Sequence, residues 1–249
     1  MIKDLEFLLK KTFFSESYLL KKRLKRAIRK GYEKELKIID KFADKSKDAI
    51  DIGVYRGVYS YKLSHNFKNI HSFEPNPLLF PYLEKNLKKI LKNVNLYNLA
   101  LSDKSGEAEL KLPIRSKSIF KDNIEELYKL GAATMHPNNN IIEYEKFSIK
   151  TAKLDDIKIE NKIGFIKIDV EGHEKNVLIG AESSIKKNKP VMVIEIEERH
   201  TKKPIIETIN FIKKFDYNCY YLSENKMINI DEIYPKNPEN IFIFLPKKI

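Results

Sequence analysis

The sequence contains no tryptophan and only one cysteine, Cys219, among 249 residues. One cysteine excludes an intramolecular disulfide and any zinc site built from several cysteines. The sequence also lacks an uninterrupted apolar run of about 18 residues, the length that a membrane-spanning helix needs. Its N-terminus carries acidic residues and does not have the pattern of a signal peptide. We therefore expect a cytoplasmic protein without a transmembrane segment.

Acidic residues are in the minority, since 35 Asp and Glu stand against 47 Lys and Arg and give a formal net charge of +12. The basic residues are densest from Lys21 to Lys30. This excess predicts an anionic partner, either an acidic or phosphorylated glycan or a membrane surface contacted peripherally. Nucleic acid is the least favoured partner, because aromatic residues do not alternate with the basic ones. The alternative is a solvated basic helix face, and the oligomeric state stays open.

The hydrophobic periodicity predicts a Rossmann-like α/β fold, a mostly parallel sheet with helices on both faces. Residues 1–46 are expected to form a basic helical N-terminal extension, and residues 47–249 a single α/β domain. The predicted strands cover residues 49–52, 70–73, 94–99, 107–112, 147–152, 164–168, 191–196, 218–222 and 241–245. The predicted helices lie within residues 2–28, 33–42, 78–91, 175–187 and 205–215, with another that begins near 58. Residues 116–140 have little periodicity and are interpreted as a loop or lid over the site.

The first functional pattern is a short apolar strand that ends at Asp51 and turns at Gly53 and Gly57 into a helix. Glycine permits the tight turn and a close approach of a ligand to the backbone. Glu74 follows at the end of the next predicted strand, where this fold places a carboxylate that binds ribose hydroxyls. A loop with two glycines behind an acid suits the cationic end of S-adenosylmethionine better than the diphosphate of a nicotinamide cofactor.

The second pattern gathers Asp169, Glu171, His173 and Glu174 at the end of a predicted buried strand, and Glu195 ends the neighbouring one. Parallel strands present their carboxyl ends at one edge, so Asp169 should point towards the same crevice as Asp51 and Glu74. Glu174 is interpreted as an acid that stabilises a helix N-terminus. Asp169 and Glu195 are candidates to orient a substrate hydroxyl, to remove its proton, or to bind Mg²⁺ or Mn²⁺.

Together these residues resemble the FkbM family of S-adenosylmethionine-dependent methyltransferases. The resemblance covers roughly residues 47–200. It is carried by residues 51–60, 73–76, 98–103 with Gly106, 154–155, 166–174 with 177–178 and 180–181, and 190–195.

The resemblance implies a class I methyltransferase sheet of seven mostly parallel strands with a C-terminal hairpin. It implies methylation of oxygen, commonly at hydroxyls of sugars, glycans or related natural products. Site roles are likewise implied by the resemblance. Asp51, Gly53 and Gly57, with Tyr55, would shape the methionine end of the cofactor site; Glu74, beside Pro75, would bind the ribose; Ser102 and Asp103 would bind the adenine; and Asp169, Glu171 and His173 would face the methyl group.

Chemistry at a hydroxyl requires a group that takes up the proton as the new bond forms. His173 is the first candidate, because the ordinary pKa of histidine lies near neutral pH. Glu171, Glu195 and His200 are the further candidates. Two other classes of protein stay open: a nicotinamide oxidoreductase on the same sheet, and a non-catalytic module that binds anionic ligands and keeps a vestigial cofactor cleft.

Overall fold

The structure is a computed structural model that describes residues 13–31, 33–113, 133–135, 144–224, 226–233 and 240–247. The α-helices in these ranges are α1 Glu16–Lys30, α2 Val58–Ser64, α3 Phe80–Ile90, α4 Glu174–Gly180, α5 Glu182–Asn188, α6 Glu198–Thr201 and α7 Ile205–Lys213. The strands are β1 Asp48–Ile52, β2 Ile70–Phe73, β3 Val94–Tyr97, β4 Ala100–Leu101, β5 Gly106–Pro113, β6 Tyr144–Ala152, β7 Ile163–Ile168, β8 Val191–Glu195, β9 Tyr217–Ser223, β10 Lys226–Asn229 and β11 Ile241–Pro246.

The central sheet has eight strands in the order β10-β9-β11-β8-β7-β1-β2-β3. The five strands from β8 to β3 are parallel, and the three at the other edge are antiparallel. Every residue of β1 is buried, as expected for a strand covered on both faces by helices. The Rossmann-like fold is therefore confirmed. The expected seven strands become eight, because β10 pairs with β9 at the edge of the sheet.

The register of β1 decides which side chains meet beneath the cavity described below. Asp51 lies opposite Ser72 on β2 and opposite Lys167 on β7. Residues opposite one another on neighbouring parallel strands project to the same face of the sheet. A carboxylate, a hydroxyl and an ammonium group therefore share one buried face near the carboxyl ends of the strands.

Helix α1 begins after Ser15, whose side chain accepts a hydrogen bond from the Tyr18 N–H at 3.2 Å, and ends at Gly31 in a left-handed conformation. Leu20 and Leu24 are buried and pack the helix against the main domain, where it contacts α2 and α3. Most of the basic residues of α1 face solvent. Of the predicted extension, residues 1–12 lie outside the described residues, and the boundary after residue 46 stays a prediction.

The predicted helix over residues 33–42 is wrong. Two short 3₁₀ helices, Lys34–Lys37 and Ile39–Phe42, occupy this segment. Leu36, Ile38 and Ile39 are all buried, and these spacings do not share one face of an α-helix. The segment is consequently packed against the domain, with the Glu35 side chain buried and that of Asp40 exposed.

Two other elements are divided differently from the prediction. Predicted strand 94–99 ends at Tyr97, and Ala100–Leu101 join a separate small sheet of order β4-β6-β5. Predicted helix 175–187 is divided at Ala181 into α4 and α5. Beside this break, Gly180 packs so closely on Ser102 that a Cβ would lie 1.9 Å from the Ser102 carbonyl oxygen. Of the predicted lid, only residues 133–135 are described, and Thr134 there pairs with Lys111 of β5. Among the helices of the described ranges, none has the length and apolar character needed to cross a bilayer.

Candidate active site

A cavity of about 580 Å³ opens at the carboxyl ends of β1, β2, β7 and β8. This is the edge at which open parallel sheets bind ligands, and the volume is typical of a small-molecule site. Many residues singled out from the sequence line it together: Gly53, Tyr55, Glu74, Pro75, Asp169, Glu171 and Glu195. Asp51, Gly57, Ser102, Asp103 and His173 do not line it.

Glu74 lies in the wall of the cavity with its carboxylate held in place by the backbone. One carboxylate oxygen accepts the N–H of Tyr55 at 2.8 Å and the other accepts the N–H of Asn76 at 3.0 Å. Each oxygen keeps a further lone pair for a ligand hydroxyl. Burial raises the pKa of Glu74 to about 7, against the lowering effect of these two hydrogen bonds. The carboxylate is therefore held in one orientation at the end of β2, where the sequence predicted a ribose-binding acid.

The loop after β1 fits beneath the cavity only because residue 53 is glycine. Its φ is +85°, and a Cβ would lie 1.8 Å from the carbonyl oxygen of Asp169. Asp51 lies below this loop, fully buried, and its Oδ2 accepts a hydrogen bond from Ser60 at 2.5 Å. Its Oδ1 has no hydrogen-bond partner among the described residues, and burial raises its pKa to about 6. Asp51 therefore supports the loop from beneath.

The predicted roles of Gly57, Ser102 and Asp103 are not reproduced by the cavity lining. Gly57 has a φ of +77° and packs on Leu87 of α3, so it starts α2 without reaching the cavity. The Asp103 carboxylate accepts hydrogen bonds from Ser102 and from Asn176. The residues just before Ser102, namely Leu99, Ala100 and Leu101, line the cavity instead.

At the other end of the cavity, Asp169 and Glu195 come together as the sequence predicted. The two carboxyl groups are hydrogen-bonded to each other, and Asp169 Oδ2 lies 3.3 Å from the ammonium nitrogen of Lys167. Burial, followed by the charge of Asp169, raises the pKa of Glu195 to about 8 although Lys167 opposes the shift. A proton shared within this pair is thus available near neutral pH.

Lys167 was not identified from the sequence, although it lines the cavity and is only 1% exposed. Burial alone would lower its pKa, but the surrounding carboxylates, Asp169 first, outweigh burial and raise it. The ammonium group also lies 4.6 Å from the centre of the Tyr59 ring, in cation–π contact. The signal in the sequence that could have identified Lys167 is a lysine inside the otherwise apolar run of β7.

Glu33 and Glu35 also line the cavity and were missed, because they precede every recognised motif. Glu35 is buried, and the Tyr59 hydroxyl donates a hydrogen bond to its carboxylate. Burial and the neighbouring Glu35 raise the pKa of Glu33 to about 7. Ala133 and Met135, from the predicted lid, also line the cavity.

His173 is placed away from the cavity lining, and its Nε2 lies 2.9 Å from the Ser102 hydroxyl. This placement gives no support to His173 as the group that takes a substrate proton. Glu171 does line the cavity, and its carboxylate pairs with His200 Nε2 at 2.8 Å. That hydrogen bond is the main cause that raises the pKa of His200. Buried Glu174 accepts the N–H of Gly172 at 3.0 Å, close to its expected structural role.

The predicted divalent-cation site was assigned to Asp169 and Glu195. Within the described ranges, no group of three or more His, Cys, Asp or Glu side chains is arranged to hold a metal ion. The position next to Asp169 already holds a cation, the Lys167 ammonium. Like charges repel, so this lysine disfavours a divalent ion at the same carboxylate.

The sheet order and a ligand-sized cavity at the carboxyl ends of its parallel strands define a class I methyltransferase fold. The sequence model of the methyltransferase FkbM domain matches residues 51–221, so the chain belongs to the FkbM methyltransferase family. The family and the fold together make S-adenosylmethionine the methyl donor. The nicotinamide alternative is thereby set aside. No curated protein matches the chain.

The structure is similar to methyltransferase FkbM from Methylobacillus flagellatus, with a TM-score of 0.51 and 16% identity over 80% of this chain. The match spans 44% of that longer protein, and at 16% identity it shows the fold alone. A TehB-like SAM-dependent methyltransferase from Corynebacterium glutamicum matches 94% of this chain and 99% of its own, with 12% identity and a TM-score of 0.47. A putative methyltransferase from Streptococcus mutans, solved with SAH, matches 86% and 95%, with 12% identity and a TM-score of 0.45.

The residues present fit S-adenosylmethionine. Glu74 would offer carboxylate lone pairs to ribose hydroxyls, and Leu99 to Leu101 would provide an apolar surface for a purine. Asp169, which lines the cavity and is part-exposed, gives a cationic ligand a nearby negative charge. The absence of a side chain at Gly53 lets this loop pack against the Asp169 backbone at the edge of the cavity.

Proposed function

We propose that the protein transfers a methyl group from S-adenosylmethionine to a hydroxyl of a sugar, a glycan or a related natural product. The observation that carries this proposal is the carboxyl pair Asp169 and Glu195, which lies in the same cavity as Glu74. One end of the cavity is thus suited to the cofactor and the other to a hydroxyl. A cytoplasmic location stays a prediction.

The chain's own residues would orient the acceptor and receive its proton. When bound, S-adenosylmethionine supplies an electrophilic methyl carbon whose bond to sulfur breaks as the acceptor oxygen bonds to it. The hydroxyl proton passes to a carboxylate of the Asp169 and Glu195 pair, where the ammonium of Lys167 holds Asp169 in place. Holding the acceptor oxygen in line with the methyl carbon contributes several kcal/mol to the rate, at an order-of-magnitude level.

Turnover with a labelled methyl donor and a panel of sugars tests this assignment. We expect Glu195→Gln to lower turnover by roughly two to four orders of magnitude with little change in S-adenosylhomocysteine affinity. His173→Ala, the matched test of the rival base, should keep most of its turnover. A carboxyl pair as base predicts that turnover rises with pH through about 8, whereas an unperturbed histidine predicts a limb near about 6.5.

Three outcomes would contradict the proposal. Normal turnover of Glu195→Gln with loss in His173→Ala would return the proton-accepting role to His173. Loss of turnover with a chelator, restored by Mg²⁺ or Mn²⁺, would favour a metal at Asp169 and Glu195. Absence of S-adenosylhomocysteine binding would favour the remaining alternative, a non-catalytic module with a vestigial cleft.

A further inference from the structure

The carboxyl-pair end of the cavity is walled by a segment that lies outside the matched FkbM domain. That domain begins at residue 51, while Glu33 and Glu35 come from the segment around the first 3₁₀ helix. Glu35 is held by the Tyr59 hydroxyl and is 3% exposed. Glu33 differs, because its Oε2 is buried and has no hydrogen-bond partner among the described residues. An unpartnered buried carboxylate oxygen is a position where a ligand donor would be favourable.

The charges at this end of the cavity do not balance. Four carboxyl groups line it, namely Glu33, Glu35, Asp169 and Glu195. The facing cation is Lys167, which is paired with Asp169 at 3.3 Å and stacked against Tyr59. The other basic residue of the lining, Arg56, lies against the Tyr55 ring on the cofactor loop. Burial raises the pKa of Glu33 to about 7 and that of Glu195 to about 8, so above pH 8 both are ionised. An anionic group that entered beside the four carboxyls would then be repelled in a partly desolvated space.

We propose that Glu33, with Glu35 and the carboxyl pair, makes this end of the cavity select an uncharged, hydroxyl-rich acceptor and exclude acidic or phosphorylated ones. The inference rests on the proposed function and names the acceptor class of that same site. Sugar hydroxyls donate hydrogen bonds, so they match the free lone pairs of Glu33 Oε2, whereas a phosphate or carboxylate has only acceptors to offer. Glu33 is a specificity-determining residue in this scheme, and the proton-accepting role stays with the pair.

The test uses matched sugars that differ in one charge, such as glucose with glucose 6-phosphate and galactose with galacturonate. For the full-length protein at pH 9, where Glu33 and Glu195 are ionised, we expect kcat/KM for each neutral sugar to exceed that of its anionic counterpart by at least about tenfold. Glu33→Gln removes the charge and keeps the shape, so the preference for the neutral sugar should fall at least about fivefold. Glu107→Gln, on the exposed part of β5, is the control and should keep the wild-type ratio.

A second readout separates specificity from folding. Calorimetric affinity for S-adenosylhomocysteine should be the same in wild type, Glu33→Gln and Glu107→Gln, because Glu33 is at the carboxyl-pair end. A wild-type preference for the anionic sugars, or an unchanged ratio in Glu33→Gln, would overturn the inference and leave the proposed function standing. If S-adenosylhomocysteine binds but no sugar of either kind is methylated, the proposed function itself fails and takes the inference with it.

Discussion

Replacement of Glu74 by glutamine tests the cofactor end of the cavity directly. In the wild type both carboxylate oxygens accept a backbone N–H, from Tyr55 and from Asn76. The glutamine side chain has nearly the same shape, but its amide NH₂ group would face one of these two backbone N–H groups. That hydrogen bond would therefore be lost. The substitution also removes the negative charge offered to ribose hydroxyls. Loss of charge-assisted hydrogen bonds costs about 1.5–3 kcal/mol, which weakens S-adenosylhomocysteine binding by roughly ten- to a hundredfold.

The pKa of Glu74 adds a second signature. Burial raises that pKa to about 7 in the free protein, and ribose hydroxyls donate hydrogen bonds best to the ionised carboxylate. Binding therefore favours loss of the proton, and S-adenosylhomocysteine affinity should rise as the pH increases through about 7. Below that pKa the affinity should fall by up to about tenfold per pH unit. In Glu74→Gln this pH dependence should disappear.

Isothermal calorimetry at pH values on both sides of 7 measures both effects. The control is Glu84→Gln, since Glu84 is a half-exposed residue of α3 that pairs with Lys88 at 2.8 Å on the helix surface. The control should bind S-adenosylhomocysteine like the wild type at every pH. Glu74 would be refuted as the ribose ligand if Glu74→Gln bound S-adenosylhomocysteine with wild-type affinity. The same would hold if that affinity changed with pH as steeply in Glu74→Gln as in Glu84→Gln.

Three other expectations follow from the geometry. Gly53→Ala places a Cβ against the carbonyl oxygen of Asp169 at positive φ, so calorimetry should show lost S-adenosylhomocysteine binding, and denaturant unfolding a stability loss of at least about 1–3 kcal/mol. Asp51→Asn removes a buried carboxylate whose pKa is raised to about 6 and which therefore destabilises the folded protein when ionised. At pH 8 the free energy of unfolding of the variant should exceed that of the wild type by up to about 3 kcal/mol, and this gain should vanish near pH 4. If the exposed basic face of α1 contacts an anionic membrane, Lys25→Ala with Arg29→Ala should weaken sedimentation with anionic vesicles, as added salt should, without changing S-adenosylhomocysteine affinity; unchanged sedimentation would mark a solvated face.

Much of the central sheet could be predicted because its inner strands are short buried runs bounded by turn residues. The bounds of β2 agree with the prediction, and those of β1, β7 and β8 differ by one residue. The cofactor end followed from the same signals, since Gly53 and Glu74 occupy the turns after β1 and β2. At these positions the structure favoured by the local sequence is the one that the residue's place in the sheet requires.

Prediction failed where tertiary contacts override local pattern. Residues 33–42 are charged and apolar at helix-like intervals, yet three closely spaced apolar residues are buried and the segment forms 3₁₀ turns. The break at Ala181 likewise lies beside a close contact between Gly180 and Ser102, which are far apart in sequence. The hydrophobic periodicity of a single segment predicts neither the burial of these three residues nor the contact of Gly180 with Ser102.

Lys167 shows why the carboxyl-pair end could be found only in part. Its position in an apolar strand was visible, but its role depends on the alignment of β7 with β1 and on Tyr59 from α2. Pairing between parallel strands joins residues more than a hundred positions apart here, as between Asp51 and Lys167, and sequence spacing does not specify it. A buried lysine is costly unless carboxylates surround it, so its presence in the run was a signal that such partners exist.

The positive net charge favours an anionic acceptor, whereas the carboxyl groups of the cavity favour an uncharged one. The distance of each set of charges from the bound acceptor decides between these two expectations. Exposed lysines on α1 act through water, where charges are screened beyond about 8–10 Å at physiological salt. The carboxyl groups of Glu33 and Glu195 line the cavity itself, where an acceptor would be partly desolvated and screening is weak. The overall charge of +12 therefore bears on encounters with surfaces, whereas the local carboxyl groups bear on what is accepted for methyl transfer.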